Sequence, residues 1–104
     1  MKRDFKGIWI PKEIWFCTEL KATEKVLLAI IYNETQDGVF TWTNQEIADF
    51  FSLSPRHCSS IIQKLKERGY LTVDFIFSKE NNNIQQRVIR ENVTEFVKRG
   101  TIYG

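Results

Sequence analysis

The amino-acid sequence predicts an α+β fold, mainly α, of the winged helix-turn-helix type: a three-helix core with a β-hairpin wing and a short C-terminal helix. Three features of the sequence favour this fold. A capping box begins a helix at Thr43, and a Ser-Pro pair begins another at Ser54 after a short turn. A stretch rich in β-branched and aromatic residues then predicts a hairpin. Two capped helices followed by a hairpin are typical of a winged helix-turn-helix.

The N-terminal elements are an arm with a short helix, over residues 1–22, and the first core helix. Pro11 favours the start of the short helix, because proline lacks an N–H group that would be unpaired at that position. The first core helix is predicted to have Thr23 as its N-cap and to run through Asn33. Its apolar spacing predicts a buried stripe of Val26, Leu27, Ile30 and Ile31. A short β-type run, Val39–Trp42, follows this helix.

The helix-turn-helix unit consists of the helix after Thr43 and the helix after Ser54. The Thr43 side chain is expected to accept a hydrogen bond from the Glu46 N–H group, while the Glu46 side chain reaches back. Ser52 lies where the motif favours a glycine in the left-handed conformation. A serine at this position costs some backbone strain but does not exclude the turn. Gly69 is expected to follow the second helix as its C′ residue. The buried stripe of that helix is predicted to be Cys58, Ile61, Ile62 and Leu65.

The wing is predicted from two apolar runs that flank a polar turn. Tyr70–Phe77 is expected to be the first strand and Ile84–Arg90 the returning strand. The apolar residues Val93, Phe96 and Val97 then predict a short tail helix. We therefore expect one domain over residues 1–104, divided into the arm (1–22), the winged-helix core (23–90) and the tail (91–104).

Composition excludes several classes of function. The chain has 104 residues, 42% of them hydrophobic and 27% charged, which is typical of one globular domain. The chain has two isolated cysteines and one histidine, which are too few to form a Cys/His metal site. We therefore expect no metal and no cofactor. We find no nucleophile–base pair and no glycine-rich phosphate loop, so we expect neither enzymatic activity nor a small-molecule substrate. Without a signal peptide or an apolar run near the ~20 residues of a membrane helix, the protein is expected to be soluble and cytoplasmic, with no membrane partner.

Charge is unevenly distributed along the chain. Residues 1–51 carry six Lys/Arg and eight Asp/Glu, whereas residues 52–90 carry seven Lys/Arg and three Asp/Glu. The two segments therefore have net charges of −2 and +4. A basic segment beside an acidic one favours a surface that faces a polyanion.

The outward face of the second helix of the unit, at about residues 55–68, is the main candidate for DNA contact. There is no Asp or Glu from Ser52 to Lys66. Arginine can bind guanine in bidentate fashion and Gln63 can bind adenine, while small serines permit close approach to a phosphate. The wing, at about residues 70–90, adds cations that can reach phosphates or a minor groove. The candidate DNA-binding residues are Ser54, Arg56, His57, Ser59, Ser60, Gln63, Lys64, Lys79, Arg87 and Arg90. The alternative is an ordinary solvated helix face.

Large apolar side chains near both ends of the chain are candidates for an oligomer interface. These residues are Trp9, Trp15, Phe16, Phe96 and Val97. Exposed apolar patches usually mark interfaces, so we expect a homodimer. The alternative is that these side chains fill the core.

Three short stretches also resemble a known family: Gly7-Ile-Trp-Ile-Pro-Lys-Glu-Ile-Trp15, Thr23-Glu-Lys25 and Thr43-Asn44. Together they resemble the N-terminal winged-helix domain of phage and mobile-element replication proteins, which is related to DnaD-type primosome and replication-initiator proteins. The resemblance covers roughly residues 5–90. It implies double-stranded DNA binding, often as a dimer or larger assembly, and replication proteins as partners. The function it implies is replication initiation or primosome assembly.

Two other functions remain open at this point. One is a transcriptional repressor of the same fold. The other is a protein–protein assembly module that does not bind DNA, which the acidic first half, the aromatic N-terminus and the modest net charge of +2 favour.

Overall fold

The computed structural model of the protein describes residues 7–36, 38–77 and 84–93. Its architecture is α+β and mainly helical, as the sequence predicts, and it is compatible with a winged helix. The elements in chain order are α1 (Lys12–Trp15), α2 (Ala22–Gln36), α3 (Asn44–Phe51), α4 (Pro55–Glu67), β1 (Leu71–Phe77) and β2 (Ile84–Glu91). The predicted tail helix falls on residues 94–104, outside the described residues.

The side-chain caps predicted for α3 and α4 are confirmed. Thr43 Oγ1 accepts a hydrogen bond from the Glu46 N–H group at 3.1 Å, and Glu46 Oε1 accepts from the Thr43 N–H group at 3.0 Å. Ser54 Oγ accepts from the His57 N–H group at 3.1 Å. Each cap satisfies main-chain donors that lack a partner within the helix, so the starts of both helices are determined locally.

Helix α2 begins earlier and ends later than the sequence predicts. Thr23 is not the N-cap but lies in the first turn, since α2 already includes the residue before it. The carboxylate of Glu24 accepts from the Lys21 N–H group at 2.9 Å and thereby stabilises the earlier start. The helix also continues past Asn33 through Gln36, whose side-chain amide donates to a carbonyl one turn back.

The turns that follow α3 and α4 both adopt left-handed backbone conformations, as predicted. Ser52 has φ 57° and ψ 44°. The N–H group of Leu53 then donates to the carbonyl of Ala48 at 3.0 Å and closes the turn into α4. Gly69 has φ 83°, and the N–H group of Tyr70 bonds back into the last turn of α4. These two turns determine the directions in which α4 and β1 leave the core.

The hairpin strands are antiparallel, with Leu71 opposite Glu91 near the core and Phe77 at the outer end of β1. Within the described residues, the predicted β-type run before α3 pairs through one bridge, between Phe40 and Ile89. In that bridge the Ile89 N–H group donates to the Phe40 carbonyl at 2.9 Å. The bridge holds the segment before α3 against β2.

In the described part of the chain, one cluster of buried side chains forms the core between α2, α3, α4 and the inner end of the hairpin. The predicted stripe of α4 is buried, each residue being at most 6% exposed. On α2 three of the four predicted residues are buried and Val26 is half-buried. Large side chains that complete the core are Ile14, Leu28, Phe40, Trp42, Ile47, Leu71, Ile89 and Val93. Burial raises the pKa of the Cys58 thiol, as expected for a core residue.

Within the described residues no helix combines the length and apolar character required to cross a bilayer.

Candidate nucleic-acid interface

The outer face of α4 is open to solvent along its length. Because its inner stripe is buried, the remaining side chains must point outward. The exposed candidate residues at this face are Ser54, Arg56, His57, Ser59, Ser60 and Gln63, and Lys64 is half-buried beside them. The structure therefore places all the candidate residues of α4 and its N-cap on one surface.

Some of the polar groups on this face already have partners, whereas Arg56 does not. Ser54 Oγ is the α4 cap, and Gln63 Nε2 donates to Glu67 Oε1 at 3.0 Å. Arg56 is exposed, and within the described residues its guanidinium makes no hydrogen bond or ion pair. It is therefore the cation on this face that is best placed to bind a phosphate or a base.

Lys64, by contrast, forms an ion pair with Glu24 of α2. Its Nζ lies 3.0 Å from Glu24 Oε2, and the glutamate side chain is only 5% exposed. Burial opposes ionisation of Glu24, but the hydrogen bond from Lys21 and the charges of Lys64 and Arg68 outweigh it, so its pKa lies below the ordinary value. Glu24 therefore carries a full negative charge at neutral pH, beside a helix face that is free of acids in the sequence.

An open cleft of about 300 Å³ lies between the start of α2 and this face of α4. The residues that line it are Lys21, Thr23, Glu24, His57, Ser60, Ile61 and Lys64. The lining thus combines two lysines, a histidine and two hydroxyl side chains with one carboxylate. Three of the predicted DNA-binding residues meet here, which makes the cleft part of the candidate interface.

Arg87 of the hairpin is engaged within the fold. Its Nη1 donates to Asn44 Oδ1 at 2.7 Å and its Nη2 donates to the main-chain oxygen of Trp42 at 2.8 Å. Burial of this half-buried guanidinium lowers its pKa from the ordinary value. Arg87 thus joins β2 to the start of α3, and its contact with DNA stays a prediction.

The other hairpin candidates differ from Arg87. Arg90 is exposed, and its Nε lies 3.4 Å from Asp74 Oδ2 on the opposite strand. A surface pair of this kind contributes little to stability, so Arg90 can exchange partners easily. Lys79, predicted at the tip, lies outside the described residues.

The outer half of the hairpin exposes apolar side chains that the sequence reasoning did not single out. Phe75, Ile76 and Phe77 are each about half exposed, at 48%, 49% and 54%. Five of the seven residues of β1 are apolar without strict alternation, and two strands alone cannot bury both of their faces. This lack of alternation is visible in the sequence and could have predicted the exposed apolar side chains. It indicates an apolar surface beside the predicted cations.

A second exposed apolar surface, the aromatic surface, consists of Trp9, Trp15 and Phe16. These side chains are 60%, 46% and 58% exposed, so the alternative that they fill the core is wrong. The ammonium group of Lys25 lies 5.2 Å from the centroid of the Trp15 ring. Phe96 and Val97, predicted to belong to the same interface, lie outside the described residues.

A network of polar groups ties the segment after α1 to the end of α4. The Tyr70 hydroxyl donates to the Glu19 carboxylate and lies 3.4 Å from Cys17 Sγ. Burial, Cys17 and Glu19 all raise the pKa of Tyr70, which keeps it a neutral donor. Arg68 Nη1 donates to the Glu19 main-chain oxygen at 2.6 Å. Among the residues that the structure describes, no three His, Cys, Asp or Glu side chains are grouped as metal ligands would be.

Comparison with protein-family models shows that the model described as the DnaD N-terminal domain matches residues 17–97, about three quarters of the chain. The match includes the cleft, α4 and the hairpin, whereas the aromatic surface precedes it. Searches of the curated proteins and of the solved structures find no significant match.

Proposed function

The chain belongs to the DnaD N-terminal domain family, and from this premise we propose that it is a winged-helix protein that binds duplex DNA. Membership of the family indicates a role in replication or primosome assembly. The finer proposal is that α4 is the reading helix, the hairpin is the wing, and the setting is replication initiation on a phage, plasmid or other mobile element. The alternative of a transcriptional repressor is less favoured, because the family match concerns replication.

The observation that carries the proposal is the open outer face of α4. Arg56 lies near the N-terminal end of that face, where residues of a reading helix approach base edges. In the proposed mechanism the cations neutralise phosphates for affinity, while Arg56 and Gln63 contact base edges for sequence choice. Gln63 donates one of its two amide N–H groups to Glu67, so the other N–H group and the amide oxygen remain for a base.

Salt dependence gives the first test of this proposal. With about four to five phosphate contacts, log K for mixed-sequence duplex DNA is expected to fall against log salt with a slope of about −4. Fluorescence anisotropy of labelled duplex, titrated with the intact chain at two or more salt concentrations, measures the slope. No binding at low salt would contradict DNA binding and favour the assembly module.

A second candidate function, self-association, is favoured by the aromatic surface. Three half-exposed aromatic side chains within one short segment expose more apolar surface than isolated apolar residues on a protein surface do. We propose that two copies of the chain pair through this surface, and that replication proteins dock on the assembled form.

Substitution of the aromatic surface tests that pairing. Replacing Trp15 and Phe16 with serine is expected to reduce the mass seen by light scattering from dimer to monomer, because the apolar contact area is lost. The matched control is Val39→Ser, which removes a side chain that is 49% exposed outside this surface. A mass that stays dimeric in the double variant, or a wild-type chain that is monomeric at all concentrations, would contradict the proposal.

A further inference from the structure

We propose that Glu24 is a positioning residue that holds the Lys64 ammonium in the cleft and thereby limits how strongly α4 attracts DNA phosphates. The inference rests on the proposed DNA binding and adds a residue that was not among the candidate DNA-binding residues. Glu24 precedes Lys64 by 40 positions, and the fold alone brings the two side chains together.

The first step is that the Glu24 carboxylate is fixed in place. Its Oε1 accepts from the Lys21 N–H group at 2.9 Å, and its Oε2 accepts from Lys64 Nζ at 3.0 Å. One carboxylate therefore joins the start of α2 to the last turn of α4. Among the described residues that line the cleft, it is the one acidic group.

The second step concerns the charge that Lys64 can offer to DNA. Its side chain is 37% exposed, so an approaching phosphate can reach the ammonium, but one of its three N–H donors is held by Glu24. The carboxylate also repels a phosphate at the same ammonium, since both are anions separated by a few ångströms. Lys64 therefore offers less attraction than Arg56, whose guanidinium has no such partner among the residues that the structure describes.

The third step is that the ion pair between Glu24 and Lys64 can be removed with little change in side-chain shape. Glu24→Gln keeps the volume and an oxygen that can accept from the Lys21 N–H group, while it removes the charge that holds Lys64. The variant is expected to bind mixed-sequence duplex about threefold more tightly at moderate salt. The slope of log K against log salt is expected to steepen by about one, because Lys64 then neutralises a phosphate fully.

A second measurement needs no DNA. In the wild-type chain Lys64 is expected to react more slowly than the exposed Lys66 with an amine-acylating reagent, followed by mass spectrometry. In Glu24→Gln the two lysines are expected to react at similar rates. Equal rates already in the wild-type chain would overturn the positioning role.

Two further variants separate a specific effect of Glu24 from a general effect of charge. Asp49→Asn makes the same change in net charge at an exposed position of α3 that does not line the cleft, and it should alter neither the slope nor the labelling of Lys64. In a Lys64→Gln background, Glu24→Gln should no longer steepen the slope. Salt-sensitive wild-type binding that Glu24→Gln leaves unchanged or weakens would overturn this inference alone. A wild-type chain that does not bind DNA at low salt would overturn both the proposed function and the inference.

Discussion

Replacing Arg56 and Lys64 together with alanine is expected to weaken duplex binding at least tenfold. Both residues lie on the outer face of α4, and each removed cation loses a phosphate or base contact and its share of released counterions. Fluorescence anisotropy against one mixed-sequence duplex at fixed low salt gives the ratio of dissociation constants.

The two single variants are expected to differ in stability. Arg56→Ala should leave the melting temperature nearly unchanged, since the exposed guanidinium makes no hydrogen bond or ion pair within the described residues. Lys64→Ala should lower the melting temperature, because it leaves the buried carboxylate of Glu24 without its cation. Arg56→Ala is therefore the variant whose loss of affinity reports on DNA contact alone.

Lys12→Ala is the matched control for Arg56→Ala. Lys12 is exposed on α1, outside the candidate interface, and its removal lowers the net charge by the same amount. We expect its effect on affinity to be much smaller than that of Arg56→Ala. Equal losses in the two variants would mean that only the overall charge matters, and salt-sensitive binding that survives Arg56→Ala would place the DNA on another surface.

The elements that the sequence predicted well are those determined by neighbouring residues. The caps at Thr43 and Ser54 each involve a donor three residues away, and the left-handed turns at Ser52 and Gly69 depend on a few bonds around each of them. The start of α2 was predicted wrongly because Thr23 and Glu24 both suit a helix start, and the glutamate side chain caps the residue before the helix. The local sequence is compatible with a helix that begins after Thr23 and with one that begins at Ala22. The contact of Glu24 with Lys64 of α4 favours the earlier start, which is the one observed.

The candidate site was predictable only in part, because its electrostatics depend on contacts between distant segments. Helical spacing is sufficient to place Arg56 and Gln63 on the outer face of α4. It cannot show that Glu24 of α2 lies against Lys64, nor that Arg87 reaches Asn44 across 43 residues of sequence. An acid-free stretch of sequence therefore does not ensure an acid-free surface.

Arg87→Ala is expected to lower the free energy of unfolding by about 2 kcal/mol, which is typical when a half-buried charged donor is lost from its acceptors. The variant leaves Asn44 Oδ1 and the Trp42 carbonyl without this donor, and both lie where the chain enters α3. Arg87→Lys should recover only part of the loss, since one ammonium group cannot reproduce the two-pronged geometry of a guanidinium. Urea denaturation followed by tryptophan fluorescence measures these changes.

Arg90→Ala is the control that distinguishes a structural role from a role in DNA contact. It removes the same charge from the same strand, but its pair with Asp74 is exposed, so the expected loss of stability is about 0.5 kcal/mol or less. If Arg87 is structural, the loss of affinity for DNA in Arg87→Ala should appear only where the variant begins to unfold. A folded Arg87→Ala that binds DNA as weakly as Arg56→Ala would instead show that the guanidinium leaves Asn44 and contacts the duplex. In that case binding would exchange the two hydrogen bonds by which Arg87 joins β2 to the start of α3 for contacts with the duplex.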